Sequence, residues 1–218
     1  MTAPFPSATV APLRERERLE VLLLRRHPDL AFHGGDWVFP GGRIEAHDAD
    51  GDPLATARRA AVREAHEEAT LRLDPSDLVP FGHWTTPRCR PRRYATWFFL
   101  APADAPARAD GQELVEARWW PIEDALAARA SRTIRLPPPT FVTLCRLRGH
   151  TLEEAMALSH EERILPKIVP VPGGECALYP GDAGYASGDP KLAGPRHRGW
   201  YLRSGWRYER SDEREPDS

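Results

Sequence analysis

Asparagine is missing altogether, and only Lys167 and Lys191 among the thirty basic residues are lysine. Cysteine is scarce: Cys89, Cys145 and Cys176 are odd in number, far apart and in no CxxC pattern. That excludes a disulfide framework and a cysteine-based zinc site, and makes a reducing cytoplasm the expected compartment. An excess of one charge is lacking too. Thirty basic residues against thirty-two acidic ones leave a formal charge of −2, so no nucleic-acid or membrane partner is expected and any pull on phosphate must be local. No run approaches the roughly 18 apolar residues of a membrane span, and MTAPFPSATVAP has no basic segment ahead of an apolar one; a soluble, unexported protein is expected. The chain also has no GxxxxGK[ST] and no GxSxG, and HEEAT at 66–70 lacks the second histidine of HExxH.

What is present suits one generous domain with an extension, since 218 residues at 41% apolar content can bury a real core. Residues 1–14, small and proline-rich, read as a flexible arm. Leu19 to Leu24 is an apolar, β-compatible run, residues 27–36 a loop and Trp37 to Phe39 a short strand. Pro40-Gly41-Gly42 reads as a tight turn where backbone can approach a ligand. Pro53 to Ala69 predicts a helix, with proline at its first position and Leu54, Ala57, Ala61 and Ala65 at helical spacing. Strands are expected over 78–85, 94–100 and 114–120, and helices over 121–130, 139–147 and 151–159, the last opened by the capping pattern TLEE. Residues 166–218 read as a C-terminal extension with short strands near Ile168 and over 200–208 and a disordered tail, SDEREPDS.

The chemistry concentrates in FPGGRIEAHD, residues 39–48, and REAHEEA, residues 63–69. Positions i, i+3 and i+4 of a helix share one face, so Glu64, Glu67 and Glu68 project together and repel. An acidic helix face solvated by water is the bland reading. A hard divalent cation, which takes several oxygen ligands and leaves coordinated water for phosphates, is the sharp one. The neighbouring glycines and Arg63, able to brace a carboxylate with a forked pair of bonds, favour the second. His66, two residues from Glu64, points off that face.

These residues resemble the Nudix hydrolase box, GxxxxxE, seven residues, then REUxEExGU with U aliphatic. Gly42, Asp48, Arg63, Glu64, Ala65, Glu67, Glu68 and Leu71 fall on its positions. The chain departs from it in Asp48 for glutamate, in fourteen intervening residues for seven, and in Thr70 for the glycine that ends the helix. The resemblance implies an α/β fold, a Nudix-type α/β/α sandwich with a mixed sheet over residues 15–165, followed by the helical and loop-rich extension. It implies an enzyme, a diphosphatase that cleaves a nucleoside diphosphate derivative with Mg²⁺ or Mn²⁺. It assigns Glu64, Glu67 and Glu68, with Gly42 backbone, to the metal, and Glu64 and Arg63 to catalysis. Because the base moves among members, Glu113 and Glu116 are rivals or additional ligands. The partner is a small-molecule nucleotide, and the resemblance allows a homodimer.

For the substrate, the stretch VLLLRRHPDLAFHGGDWVFPGG is similar to the lead-in of Nudix members that hydrolyse coenzyme A and its thioesters. TPRCRPRRYATWFF and RLPPPTFVTLCRL look like segments of a subgroup that includes an acyl-CoA diphosphatase. Coenzyme A or acyl-CoA is therefore the first expectation. ADP-ribose, dinucleotides, nucleotide sugars and damaged nucleoside triphosphates follow, and a non-catalytic nucleotide sensor is the non-enzyme alternative. Arg88, Arg90, Arg92 and Arg93 form a basic patch suited to phosphate oxygens. Arg92 and Arg93, with Gly41, are the candidate substrate-binding residues.

Overall fold

In the computed structural model, which describes residues 3–30, 33–158, 162–203 and 205–211, the stretch expected as a flexible arm is a long strand, β1 (Phe5–Glu15). Residues 7–13 are all buried, which is what a strand covered on both faces looks like in sequence. The prolines hid it. Neither Pro6 nor Pro12 falls within the registers that join Leu13 to Val21 on β2 (Leu19–Arg26) and Ser7 to Arg43 on β4 (Gly41–Arg43), so the missing N–H groups break no ladder there.

The chain divides into two compact units. The larger holds residues 5–82 and 96–162. Its strands run β3-β2-β1-β6-β5, where β3 is Trp37–Val38, β5 Val79–Thr85 and β6 Tyr94–Pro102; β4 pairs with β1, and β7 (Leu114–Pro121) with β2. On β2, Leu22 and Leu24 point one way, Val21 and Leu23 the other, and all four are buried. Truncating any of the three leucines to alanine removes roughly 2–5 kcal/mol.

One face of the sheet is covered by α1 (Pro53–Ala69). Asp52 caps this helix by accepting the Ala55 N–H at 2.7 Å, and Pro53 sits at its first position. Its buried residues are all alanine: Ala57, Ala60, Ala61, Ala65 and Ala69. Four of them pack on Ala8, Val10 and Phe99. Thr70 ends the helix at φ 57°, in the left-handed region where the family pattern carries glycine. A second helix, α2 (Ile122–Ala130), packs against β2 and β7, and α3 (Pro138–Leu147) and α4 (Leu152–Ala157) follow. The expected α/β sandwich is therefore present. Among the described residues no helix is long and apolar enough to cross a membrane.

The smaller unit holds the first residues up to Pro4, residues 83–95, which end β5 and begin β6, and the chain from Arg163 onward. There β8 (Arg163–Ile164) runs parallel to His83 and Trp84, which makes the sheet mixed as expected. The rest is richer in strand than its glycines and prolines suggested. Four antiparallel strands lie in the order β12-β11-β10-β9: β9 is Lys167–Val171, β10 Gly174–Leu178, β11 His197–Leu202 and β12 Gly205–Arg210. What read as one strand over 200–208 is a hairpin, with Tyr201 opposite Trp206. Buried Arg198 forks onto buried Asp182 at 2.6 and 2.7 Å, and Asp182 also accepts the N–H groups of Gly184 and His197. Every oxygen of that carboxylate is thereby used, as a buried ion pair requires. Residues 159–161 and 212–218, where the end of the expected third helix and most of the charged tail fall, lie outside the described residues, as do 31–32 in the loop at 27–36.

Candidate active site

The two glycines of the PGG stretch do not make the expected tight turn; they open β4, paired with Ala8 and Thr9 of β1. Neither has a positive φ, so the reason for glycine is closeness. A Cβ on Gly41 would lie 2.5 Å from Thr9 Cβ, and one on Gly42 would lie 2.3 Å from Glu64 Oε1. Thr9 also donates its hydroxyl to the Pro40 carbonyl at 2.6 Å, and Val10 its N–H to the same oxygen. Strand β1 thus holds bare backbone against α1.

Onto that backbone α1 projects its carboxylates. The Gly41 N–H donates to Glu68 Oε2 at 2.8 Å. Burial, opposed by this bond and reinforced by the charge of Glu64, pushes the Glu68 carboxyl up to about 8. Glu64, half-buried, is also raised, first by burial and then by the charges of Glu67 and Asp48, against the pull of Arg63. Glu67 is 56% exposed. His66 is exposed.

Arg63 organises the group. Its Nε and Nη2 fork onto Asp48 at 3.0 and 3.1 Å, its Nη1 donates to Glu64 and Glu67, each at 2.9 Å, and Nη2 also reaches the Arg43 carbonyl. Asp48 is 3% exposed and accepts the Glu45 N–H besides. Burial would raise its carboxyl, yet the bonds from Arg63 and Glu45 hold it below the usual carboxylate range. The aspartate in place of the family's leading glutamate is therefore the anchor of Arg63. Its place in the box was visible in the sequence; the fourteen-residue spacing concealed what it touches.

The structure brings Gly41, Gly42, Arg63, Glu64, Glu67 and Glu68 together. Of the rival carboxylates, exposed Glu113 is 3.6 Å from Arg26, whose charge acts on Glu68, and Glu116 is 3.8 Å from Arg25; among the described residues neither bonds to Arg63. Arg26 was missed by sequence reasoning. Its charge acts on Glu68, and its Nε is buried without a hydrogen-bond partner. Only its position at the end of the LLLRR run hinted at this. Arg92 and Arg93 belong to the smaller unit, where Arg92 lies over the Tyr94 ring and Arg93 donates Nε to the Thr86 carbonyl.

Among the described residues no three histidine, cysteine, aspartate or glutamate side chains converge as a closed ligand set. Glu67 is drawn to Arg63 instead. The donors still suit a hard cation: all are oxygen, two are desolvated and repel each other, and backbone without a Cβ closes on Glu64. A cation there would offset what raises both groups.

The sequence pattern of the NUDIX domain matches residues 3–138. Among curated proteins the chain is 32% identical over 172 residues to an acyl-coenzyme A diphosphatase, NUDT19, of Xenopus laevis, covering 70% of this chain and 45% of that protein. To the uncharacterized Nudix hydrolase NudL of Escherichia coli K12 it is 30% identical, covering 55% of this chain and 59% of the other. The chain thus spans less than two thirds of the length of these relatives. Among solved structures, a NUDIX hydrolase from Alicyclobacillus acidocaldarius superposes with a TM-score of 0.65 at 25% identity, covering 72% of this chain and 97% of that one. Since the match takes in well over half the chain and reaches back through β1, this chain belongs to the Nudix family.

Proposed function

We propose that the chain is a Mg²⁺- or Mn²⁺-dependent diphosphatase acting on coenzyme A or an acyl-CoA. The observation that carries the reaction class is the pair of desolvated carboxylates, Glu64 and Glu68, set against Gly41 and Gly42 and braced through Arg63. The substrate class is supported by the relatives named acyl-CoA diphosphatases. In this reading Glu64, Glu67 and Glu68 hold the metal, with Gly42 backbone beside them. When bound, the metal offsets charge on phosphate oxygens and acidifies a water.

The remaining work falls to side chains. Gly41 N–H fixes the orientation of Glu68. Arg63, anchored on Asp48, fixes Glu64 and Glu67. Glu64 is the first candidate for the base: burial raises its carboxyl above the usual carboxylate range, the direction that makes it a better proton acceptor. Glu113 and Glu116 are the rival bases, and their glutamine variants separate the roles. Arg26, whose charge acts on Glu68, adds positive charge beside the carboxylates, where a diphosphate would bind.

The test is a hydrolysis panel of CoA, acyl-CoA, ADP-ribose, NADH and nucleoside triphosphates with each metal. Release of 3′,5′-ADP and 4′-phosphopantetheine from CoA is expected. Pyrophosphate with a nucleoside monophosphate would replace the substrate assignment by a triphosphate one, and binding without turnover would make the protein a sensor. Glu67→Gln and Glu68→Gln are expected to lose turnover while keeping the fold; wild-type rates in both would overturn the site assignment.

A further inference from the structure

Charge is divided unevenly along this nearly neutral chain. Over its described residues the smaller unit carries twelve arginines and lysines against four acidic side chains, an excess of eight. The four acids are already engaged. Glu175 pairs with Arg90, Asp182 with buried Arg198 and Glu209 with Arg196, while Asp189 accepts the Lys191 N–H. Of the remaining cations, Arg88 and Arg92 flank Arg90 in one turn. The turn between β5 and β6 exposes Arg88, Arg90 and Arg92 and contains no acid. Arg90 ties it to β10 through Glu175, whose partner on β11 is Tyr201. The Tyr201 ring stacks on Trp206 with centroids 6.0 Å apart and planes 19° from parallel. At the same end of the sheet, exposed Arg203 donates its N–H to the Gly173 carbonyl.

Exposed guanidinium groups that outnumber the acids beside them repel one another and are relieved by an anion, and here Glu175 offsets only Arg90. Phosphate monoesters suit them because each takes forked pairs of bonds, and the half-buried Tyr201–Trp206 pair adds aromatic surface of the kind that packs on a base. We infer that the smaller unit carries an anion-binding surface of its own, formed by Arg88, Arg90, Arg92 and Arg203 beside Tyr201 and Trp206, and that its ligand is the phosphorylated nucleoside part of a nucleotide. A lipid surface fits less well, since Leu192 is the one large hydrophobic side chain exposed in this unit among the described residues. The choice of probe rests on the proposed CoA reading: 3′,5′-ADP, which has a base and two monoesters.

Calorimetric titration of the full chain with 3′,5′-ADP in EDTA tests this, comparing wild type with Arg88→Ala/Arg203→Ala, Arg88→Gln/Arg203→Gln, Trp206→Leu and Glu67→Gln. The expected result is at least a tenfold weaker Kd in both arginine double variants, a weaker one in Trp206→Leu, wild-type affinity in Glu67→Gln, and wild-type affinity that falls as salt is raised. Equal Kd values in the wild type and the arginine variants would overturn the inference, as would no wild-type binding. Tighter binding of a single-stranded oligonucleotide, or of phosphatidylserine vesicles, than of 3′,5′-ADP would overturn the choice of ligand. CoA hydrolysis measured in parallel separates the two readings. Absence of turnover in the wild type defeats the CoA assignment alone, whereas CoA turnover with unchanged binding in the arginine variants defeats this one alone.

Discussion

Replacing Gly42 with alanine isolates the site from the fold. The new Cβ would sit 2.3 Å from Glu64 Oε1 and 2.5 Å from its Cδ, with no backbone among its three nearest atoms. Ordinary contact begins near 3.4 Å, so the carboxylate has to retreat by about an ångström. It can do so, being the far end of a flexible chain, and the cost to stability stays at roughly 1 kcal/mol or less, as for other partly exposed sites. The retreat takes Glu64 off Arg63 and out of the metal group. Misplacement of a reacting group by about 1 Å costs roughly a hundredfold in rate. Gly42→Ala is therefore expected to melt within a few degrees of wild type and to lose on the order of 100-fold in kcat at saturating Mg²⁺. Gly82→Ala is the control, because its Cβ would meet Glu162 O at 3.6 Å, an ordinary contact. Wild-type turnover in Gly42→Ala, or an equal loss in Gly82→Ala, would refute the argument that this glycine exists to admit Glu64.

Three further outcomes follow from the same geometry. Glu68, whose carboxyl is pushed up to about 8, favours the fold when protonated, so metal-free stability is full below about pH 4.5, declines as pH rises toward 8 and then levels. Urea melts of Glu68→Gln should decline less across that window than wild type, the variant exceeding wild type above pH 8 by roughly a few kcal/mol; parallel curves would show the raised pKa to be wrong. Asp48→Ala leaves Arg63 without its buried anchor and is expected to cost about 3 kcal/mol in urea melts, with loss of turnover in the refolded protein; a cost under about 0.5 kcal/mol would show that the pair contributes nothing. Thr70→Gly relieves a β-branched residue at φ 57° and should stabilise by up to about 1 kcal/mol, read as a rise in Tm, whereas a fall would mean that the Thr70 hydroxyl bond to Ala69 outweighs the strain.

The helix that carries the glutamates was legible because its cues are local: Asp52 and Pro53 at one end and alanines at helical spacing. The carboxylate cluster was legible for the same reason. Strand β1 was not, since its burial on both faces removes the alternation that marks a strand and its prolines imitate a loop. Of the smaller unit's sheet only the strand at Ile168 and the stretch over 200–208 were legible, because five- and six-residue strands separated by glycine and proline show too few periods to be read as a sheet. The roles of Asp48 and Arg26 depend on contacts across fifteen residues or more, and no local pattern encodes them.

The all-alanine seam of α1 has a further consequence. A methyl group is the thinnest side chain that a helix can lay on a sheet, so these five residues act as a gauge that sets how near the acidic rim stands to strand β4. Enlarging one of them, even at a point wholly hidden from solvent, would lift the helix like a shim. Catalytic alignment here is tuned from the interior, by the volume of groups with no polar chemistry of their own.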